Sequence, residues 1–214
     1  MPRQAGKREQ NKQANRDAIL AAAQRVFLEH GYDAVTIRDV IRQTELAAGT
    51  FYNYFDTKEA LLRALVEAHV QALTQELRRV RGAARSLDAF VQGAYLAAFT
   101  AIAQDPVLYS LMLRNEAAVR SLYQDSVMGL STKALRDDIR DAIRRGIMPP
   151  LDADYLAAAF FGAGYEMGRI LAESPKRNPA AAAAFATRLF LGGVHAFASE
   201  KQATTLKPRV RAAV

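Results

Sequence analysis

Between Thr36 and Lys58 the chain reads TIRDVIRQTELAAGTFYNYFDTK. Its second half offers hydroxyl and amide groups among small side chains rather than charges. A short helix over residues 48–54 turns Phe51 inward and leaves Ala48, Gly49, Thr50, Tyr52, Asn53 and Tyr54 outside. Such a surface suits hydrogen bonding and apolar contact with base edges, which a slender helix face reaches in the major groove of duplex DNA.

Covalent chemistry has no comparable set of residues. His30, His69 and His195 occur singly, without the i, i+4 or paired spacing of a metal site. There is no GxSxG elbow, and the glycines of GAGYEMG fall inside a helical run rather than ahead of one, where a phosphate would be cradled. Asp137 and Asp138 read as solvated helix surface. The chain is therefore expected to be no enzyme, with no catalytic residue, no metal and no cofactor.

The elements that position the exposed set are two short helices across a tight turn. Ile37, Val40 and Ile41 fall at i, i+3 and i+4, gathering apolar groups on one face and leaving Arg38, Asp39 and Arg42 outside, with Thr36 as the N-cap. A longer helix precedes them, beginning between Glu9 and Arg16 and stopped at His30 by Gly31.

These residues carry a resemblance. GTFYNYFDTKEALL, preceded by TIRDVI and by a helix ending EHGYDAVT, resembles the N-terminal domain of TetR-family transcriptional repressors over roughly residues 16–62. The remainder resembles the family only in length and helix pattern. The resemblance implies DNA contacts from Thr36 and Arg38, a recognition helix lined by Ala48, Gly49, Thr50, Tyr52, Asn53 and Tyr54, and a phosphate held by Lys58. The chain departs from the family's usual pattern at Glu45, Ala47 and Ala48, which predicts a slightly altered turn. It also predicts an apolar or water-bridged contact from position 48.

The net charge of +7 over 214 residues is concentrated at the two ends. Arg3, Lys7, Arg8, Lys12 and Arg16 against Glu9 leave +4 in the first 16 residues, and Lys201, Lys207, Arg209 and Arg211 leave +4 in residues 201–214. The N-terminal arm, with Lys7, Arg8 and Lys12, reads as a phosphate or minor-groove contact beside the turn, whereas the C-terminal tail reads as solubilising. There is no cysteine, and no run reaches the roughly 18 apolar residues of a membrane span. A cytoplasmic location with no membrane partner is the expectation.

Every other segment keeps a helical period, so the expected class is all-α. A three-helix helix-turn-helix domain with its arm occupies residues 1–57, a helical effector-binding and dimerisation domain residues 58–200, and the basic tail residues 201–214. Single helices are expected over about 58–81, 86–104 and 107–114, then from Glu116 to Gly146, Asp152 to Glu173 and Ala180 to Lys201. The last two are apolar nearly all round, and a helix apolar on every side is buried on every side. That predicts a homodimer through these helices, with Tyr155, Ala159, Gly162, Phe190, Gly193 and Phe197 at the interface. The TetR resemblance implies the same arrangement, and the twofold axis implies a palindromic operator.

The resemblance further implies an effector cavity among the middle helices. Tyr95, Phe99, Tyr109, Met112, Tyr123, Phe161 and Tyr165 supply its apolar wall, with Arg114 and Glu166 as polar groups. Individually each apolar residue is also ordinary core, and Glu166 is equally placed to pair with Arg169. The expected function is a sequence-specific repressor of a palindromic operator, released by an apolar or aromatic effector. The alternative is a ligand-binding or protein-interaction module with degenerate, non-specific DNA binding.

Overall fold

The computed structural model describes residues 6–123, 126–127, 130–174 and 176–205, and gives the backbone alone for Lys7, Ser126, Val127, Leu130 and residues 197–205. The elements run α1 (Lys7–His30), α2 (Ile37–Arg42), α3 (Ala48–Tyr52), α4 (Lys58–Ala83), α5 (Leu87–Gln104), α6 (Pro106–Arg114) and α7 (Glu116–Leu122). A two-residue pair, β1 (Ser126–Val127) and β2 (Leu130–Ser131), precedes α8 (Thr132–Arg144), α9 (Ala153–Glu173) and α10 (Pro179–Thr205).

The fold is all-α, as the helical periodicity requires, with one correction. The single helix expected from Glu116 to Gly146 is two helices. Tyr123, at φ −118° and ψ 27°, leaves the helical region and caps α7, and Ser126 and Val127 then pair antiparallel with Ser131 and Leu130. The intervening QDSVMGLS is rich in Ser, Asp and Gly, which compete with the helical backbone or cost it entropy, and holds no apolar stripe to offset that.

Several boundaries follow from local chemistry. Gly31 ends α1 at φ 83°, a backbone region that L side chains rarely adopt, and its N–H donates to Phe27 O. Asp105 caps α6 through Leu108 N at 2.9 Å, with Pro106 in the first turn where its missing N–H is no loss. Asp152 accepts from Asp154 N and Tyr155 N to open α9, and Asn178 accepts from Ala180 N and Ala181 N to open α10.

The helices form two compact units, one of residues 1–74 with 105–131, the other of residues 75–104 with 132–214; α4 contributes to both. In the first unit Ile19, Ala22, Val26 and Phe27 of α1 are buried and α1 packs on α2 and α6. The face α4 buries is Leu62, Val66, Val70 and Leu73, with Leu61 beside it, while Leu65 and His69 are half-buried and Ala68 is exposed. Spacing alone fits a second stripe equally well, through Leu61, Leu65, one of Ala68 and His69, Leu73 and Leu77. Both stripes are helical and only the neighbours choose between them.

His69 Nε2 is buried without a hydrogen-bond partner. Burial, opposed in part by the Asp105 charge, holds its imidazole below the usual value.

In the second unit α5 is the centre, packed on α10 and α9. Tyr95 is 1% exposed and stacks on Phe160 at 4.3 Å and 8°, and on Phe99 at 5.6 Å and 25°. Its hydroxyl donates to Phe160 O at 3.1 Å, and burial raises its pKa well above the normal phenol value. Phe190 meets Phe160 edge-on at 5.1 Å. At the end of α4, buried Arg81 donates to Leu77 O and forms an ion pair with Asp138 Oδ2 at 3.0 Å. Burial works against both charges and each offsets part of it for the other. The carboxylate of Asp154 on α9 holds Arg136 and Arg140 of α8.

Two expectations follow. A Cβ at Gly164 would lie 3.2 Å from Tyr95 Cε1, and Tyr95, held between two rings, cannot withdraw. Gly164→Ala therefore destabilises by about 1–3 kcal/mol, read as a lower urea midpoint. For His69, the folded state takes up a proton less readily than the unfolded chain, so its contribution is present above about pH 6.5 and is lost as pH falls below that value. Thermal melts from pH 7.5 to 5 should show a shallower acid decline for His69→Leu than for the parent.

Candidate nucleic-acid interface and effector region

The reader surface begins with a capped helix. Thr36 Oγ1 accepts from Asp39 N at 3.3 Å while Asp39 Oδ2 accepts from Thr36 N at 2.9 Å, a reciprocal capping box. The Thr36 hydroxyl also donates to Asp39 Oδ2 at 2.6 Å, and these bonds hold the Asp39 carboxyl below its usual range. Arg38 is exposed beside it.

The turn is pinned by a residue the sequence pattern did not single out. Thr44 Oγ1 donates to Ile41 O at 2.8 Å and accepts from Leu46 N at 3.3 Å, so one side chain closes both ends of the bend. Its signal was a Thr directly after a helix, where side-chain bonding to the local backbone is common.

α3 has five residues and no side-chain cap at Ala47, so packing holds it. Phe51 is fully buried and Phe55 is 6% exposed. Ala48, Gly49, Tyr52 and Asn53 are exposed, Tyr52 by 51%, while Thr50 and Tyr54 are half-buried. Tyr54 is partly committed, since its hydroxyl accepts from Asn15 Nδ2 at 3.3 Å, tying α1 to the end of α3.

Lys58 is more committed than expected. Its ammonium donates to Tyr32 O at 2.7 Å and lies 4.2 Å from the centre of the Tyr32 ring. Arg8 and Lys12 lie on the exposed first turns of α1, which is helical from Lys7 rather than an extended arm. The side chain of Lys7 lies outside the described residues.

The effector residues divide between the units. In the second, Tyr95 and Phe99 are buried within the aromatic stack, Phe161 stacks on Tyr165 at 6.1 Å, and Glu166 is exposed and bound by Arg169 at 3.1 Å. In the first, Tyr109 and Met112 are buried, and Tyr123 is half-buried with the Arg63 guanidinium 6.0 Å from its ring centre. The Tyr123 hydroxyl is buried without a hydrogen-bond partner, and burial raises its pKa.

Arg114 donates to Glu29 O at 3.2 Å, beside a cavity of about 290 Å3 between the end of α1 and the α6–α7 junction. Asn115, beside it at the helix junction, is 4% exposed; its Oδ1 accepts from Tyr32 N at 2.5 Å and its Nδ2 donates to Leu111 O and Phe27 O.

The proposed dimer residues fall in three groups. Tyr155, Ala159, Gly162 and Gly193 are exposed, Phe190 turns inward onto Phe160, and the side chain of Phe197 lies outside the described residues. Phe185 and Leu189, 64% and 63% exposed, were not anticipated. They occupy the α10 face that Phe190, one residue on, leaves.

Thr36→Ala removes the capping box and should lower stability by about 1 kcal/mol, seen as a reduced melting temperature at neutral pH. The loss relative to the parent should shrink as Asp39 is protonated in acid.

Comparison with known proteins agrees with this geometry. Residues 19–65, the end of α1 through the first turns of α4, match the family model of bacterial regulatory proteins of the tetR family. The uncharacterized HTH-type regulator YvdT of Bacillus subtilis is 39% identical over 66 residues, 31% of this chain and 32% of YvdT, so that match spans about a third of the relative's length. The HTH-type regulator UidR of Escherichia coli is 24% identical over 85% of this chain and 93% of its own. The fold is shared with the transcriptional regulator FadR of Bacillus subtilis, solved in complex with stearoyl-CoA: TM-score 0.65, 20% identity, 83% of this chain and 98% of FadR. A capped α2, a turn closed by Thr44 and an α3 anchored by Phe51 lie in the segment the family model covers, and they identify residues 19–65 as the domain shared by bacterial regulatory proteins of the tetR family.

Proposed function

We propose that this protein is a dimeric repressor that reads a palindromic operator and is released by an apolar or aromatic small molecule. The observation that carries the reading is the outer surface of α3, where Ala48, Gly49, Tyr52 and Asn53 stand exposed while Phe51 anchors the helix. The small side chains at Ala48 and Gly49 and the lack of charge there allow close approach to base edges, and Arg38, Arg8 and Lys12 are exposed cations available to phosphates.

On this reading residues 1–57 form the reader and 58–200 the effector-binding and dimerising part. The exposed apolar faces of α9 and α10 support the second copy, and a twofold axis spaces two readers about 34–36 Å apart for successive major grooves. The aromatic groups of α5 and α9 support an apolar effector, and the stearoyl-CoA bound by the structurally similar FadR is in keeping with one. An effector that releases DNA must bind the non-reading state better. Among the described residues no single helix is long and apolar enough to cross a membrane, in keeping with action on DNA inside the cell.

Selection of random duplex DNA at near-physiological salt should enrich a palindrome bound a thousandfold or more above scrambled sequence. Arg38→Ala and Tyr52→Phe should each weaken that binding by about 1–3 kcal/mol, roughly 5- to 150-fold, with the dimer mass unchanged. Binding that is only salt-sensitive, with no enriched site, would instead mark a protein-interaction module with degenerate DNA affinity.

A further inference from the structure

One face of the second unit is exposed among the described residues. Along α9, Tyr155, Ala159, Gly162, Glu166 and Ile170 are all exposed and follow at steps of four, three, four and four residues, the spacing of a single helix face. Tyr155 stands at one end with 79% of its surface exposed, and Gly162 lies in the middle, where an added Cβ would meet nothing within 4 Å. The one charge on the stripe, Glu166, is already held by Arg169.

At the other end is a cavity of about 430 Å3, lined by Met167, Ile170, Leu171, Ala181 and Phe185 together with Arg177. Ile170 and Phe185 belong both to this cavity and to the exposed apolar face, 38% and 64% exposed. The cavity is therefore continuous with the surface that faces the second copy in the dimer proposed above.

We propose that the cavity is filled by the partner's Tyr155. The inference rests on the dimer reading and adds its register. A twofold interface is self-complementary, so a projection on one copy needs a recess on the same patch of the other. An axis through Gly162 and perpendicular to α9 carries residue 162+n onto 162−n of the partner. Tyr155, seven residues before Gly162, then arrives level with position 169, about 10 Å from the axis at 1.5 Å per residue, beside Ile170 and its cavity. Gly162 allows the two backbones to meet at the crossing. The ring fills the apolar recess and Arg177 offers a polar neighbour to the hydroxyl, matching a side chain with an apolar body and a polar tip.

The absence of cysteine makes the register directly readable. Within one chain Tyr155 and Ala181 lie by opposite ends of α9, about 20 Å apart, beyond the roughly 7 Å between Cα atoms that a disulfide spans. Under mild oxidation the Tyr155→Cys/Ala181→Cys double variant should form a covalent dimer, as should Gly162→Cys alone, while each half of the pair alone stays uncrosslinked. A dimer by light scattering in which Gly162→Cys crosslinks but the double variant does not would overturn the Tyr155 register and leave the dimer standing. Failure of Gly162→Cys to crosslink in a dimer would overturn the crossing point. A monomeric parent would overturn both readings, and the cavity would then be one for a small apolar molecule.

Discussion

The placement of α3 depends on the peptide of Tyr32. Its N–H is taken by Asn115 from the α6–α7 junction and its carbonyl by Lys58 from the start of α4, while its ring packs against Phe27 at 5.5 Å. Three helices are thus referred to one residue in the loop that leaves α1. A helix of five residues such as α3 has no stability of its own in water. It stands where Phe51 and Phe55 can be buried, and that place exists only if α1 and α4 keep their separation.

The same chemistry explains why a loop can bear this duty. Of the two side chains bonded to Tyr32, Asn115 has its remaining donors used as well. Asn115 spends its amide on Leu111 and Phe27 carbonyls, and Arg114 takes the carbonyl of Glu29. The carbonyl of Glu29 at the end of α1 is closed by Arg114, and that of Phe27, already taken by Gly31 N, gains a second donor from Asn115, both more than 80 residues away in sequence.

That distance also marks what could be read in advance. Thr36, Gly31 and Asp152 are local devices whose partners lie within four residues, and the sequence shows them directly. The reading helix was visible because Phe51 among small polar groups is itself a local pattern. The role of Asn115 was not, because a single Asn between two helical stretches carries no periodic signal. The face of α4 and the inward turn of Phe190 share this character: two helical stripes compete, and only the neighbour decides. Tyr95 and Phe99 show the converse, since aromatic composition reveals an apolar interior without telling a wall from a filling.

Lys58 adds a consequence of its own. A free lysine arriving at an anion surrenders the freedom of four rotatable bonds, and that loss is charged against binding. Here the ammonium is already fixed by a carbonyl and a ring face, with two of its three protons still unassigned. Its ordering is completed when the chain folds, so an anion reaching this corner meets a charge with little entropy left to lose.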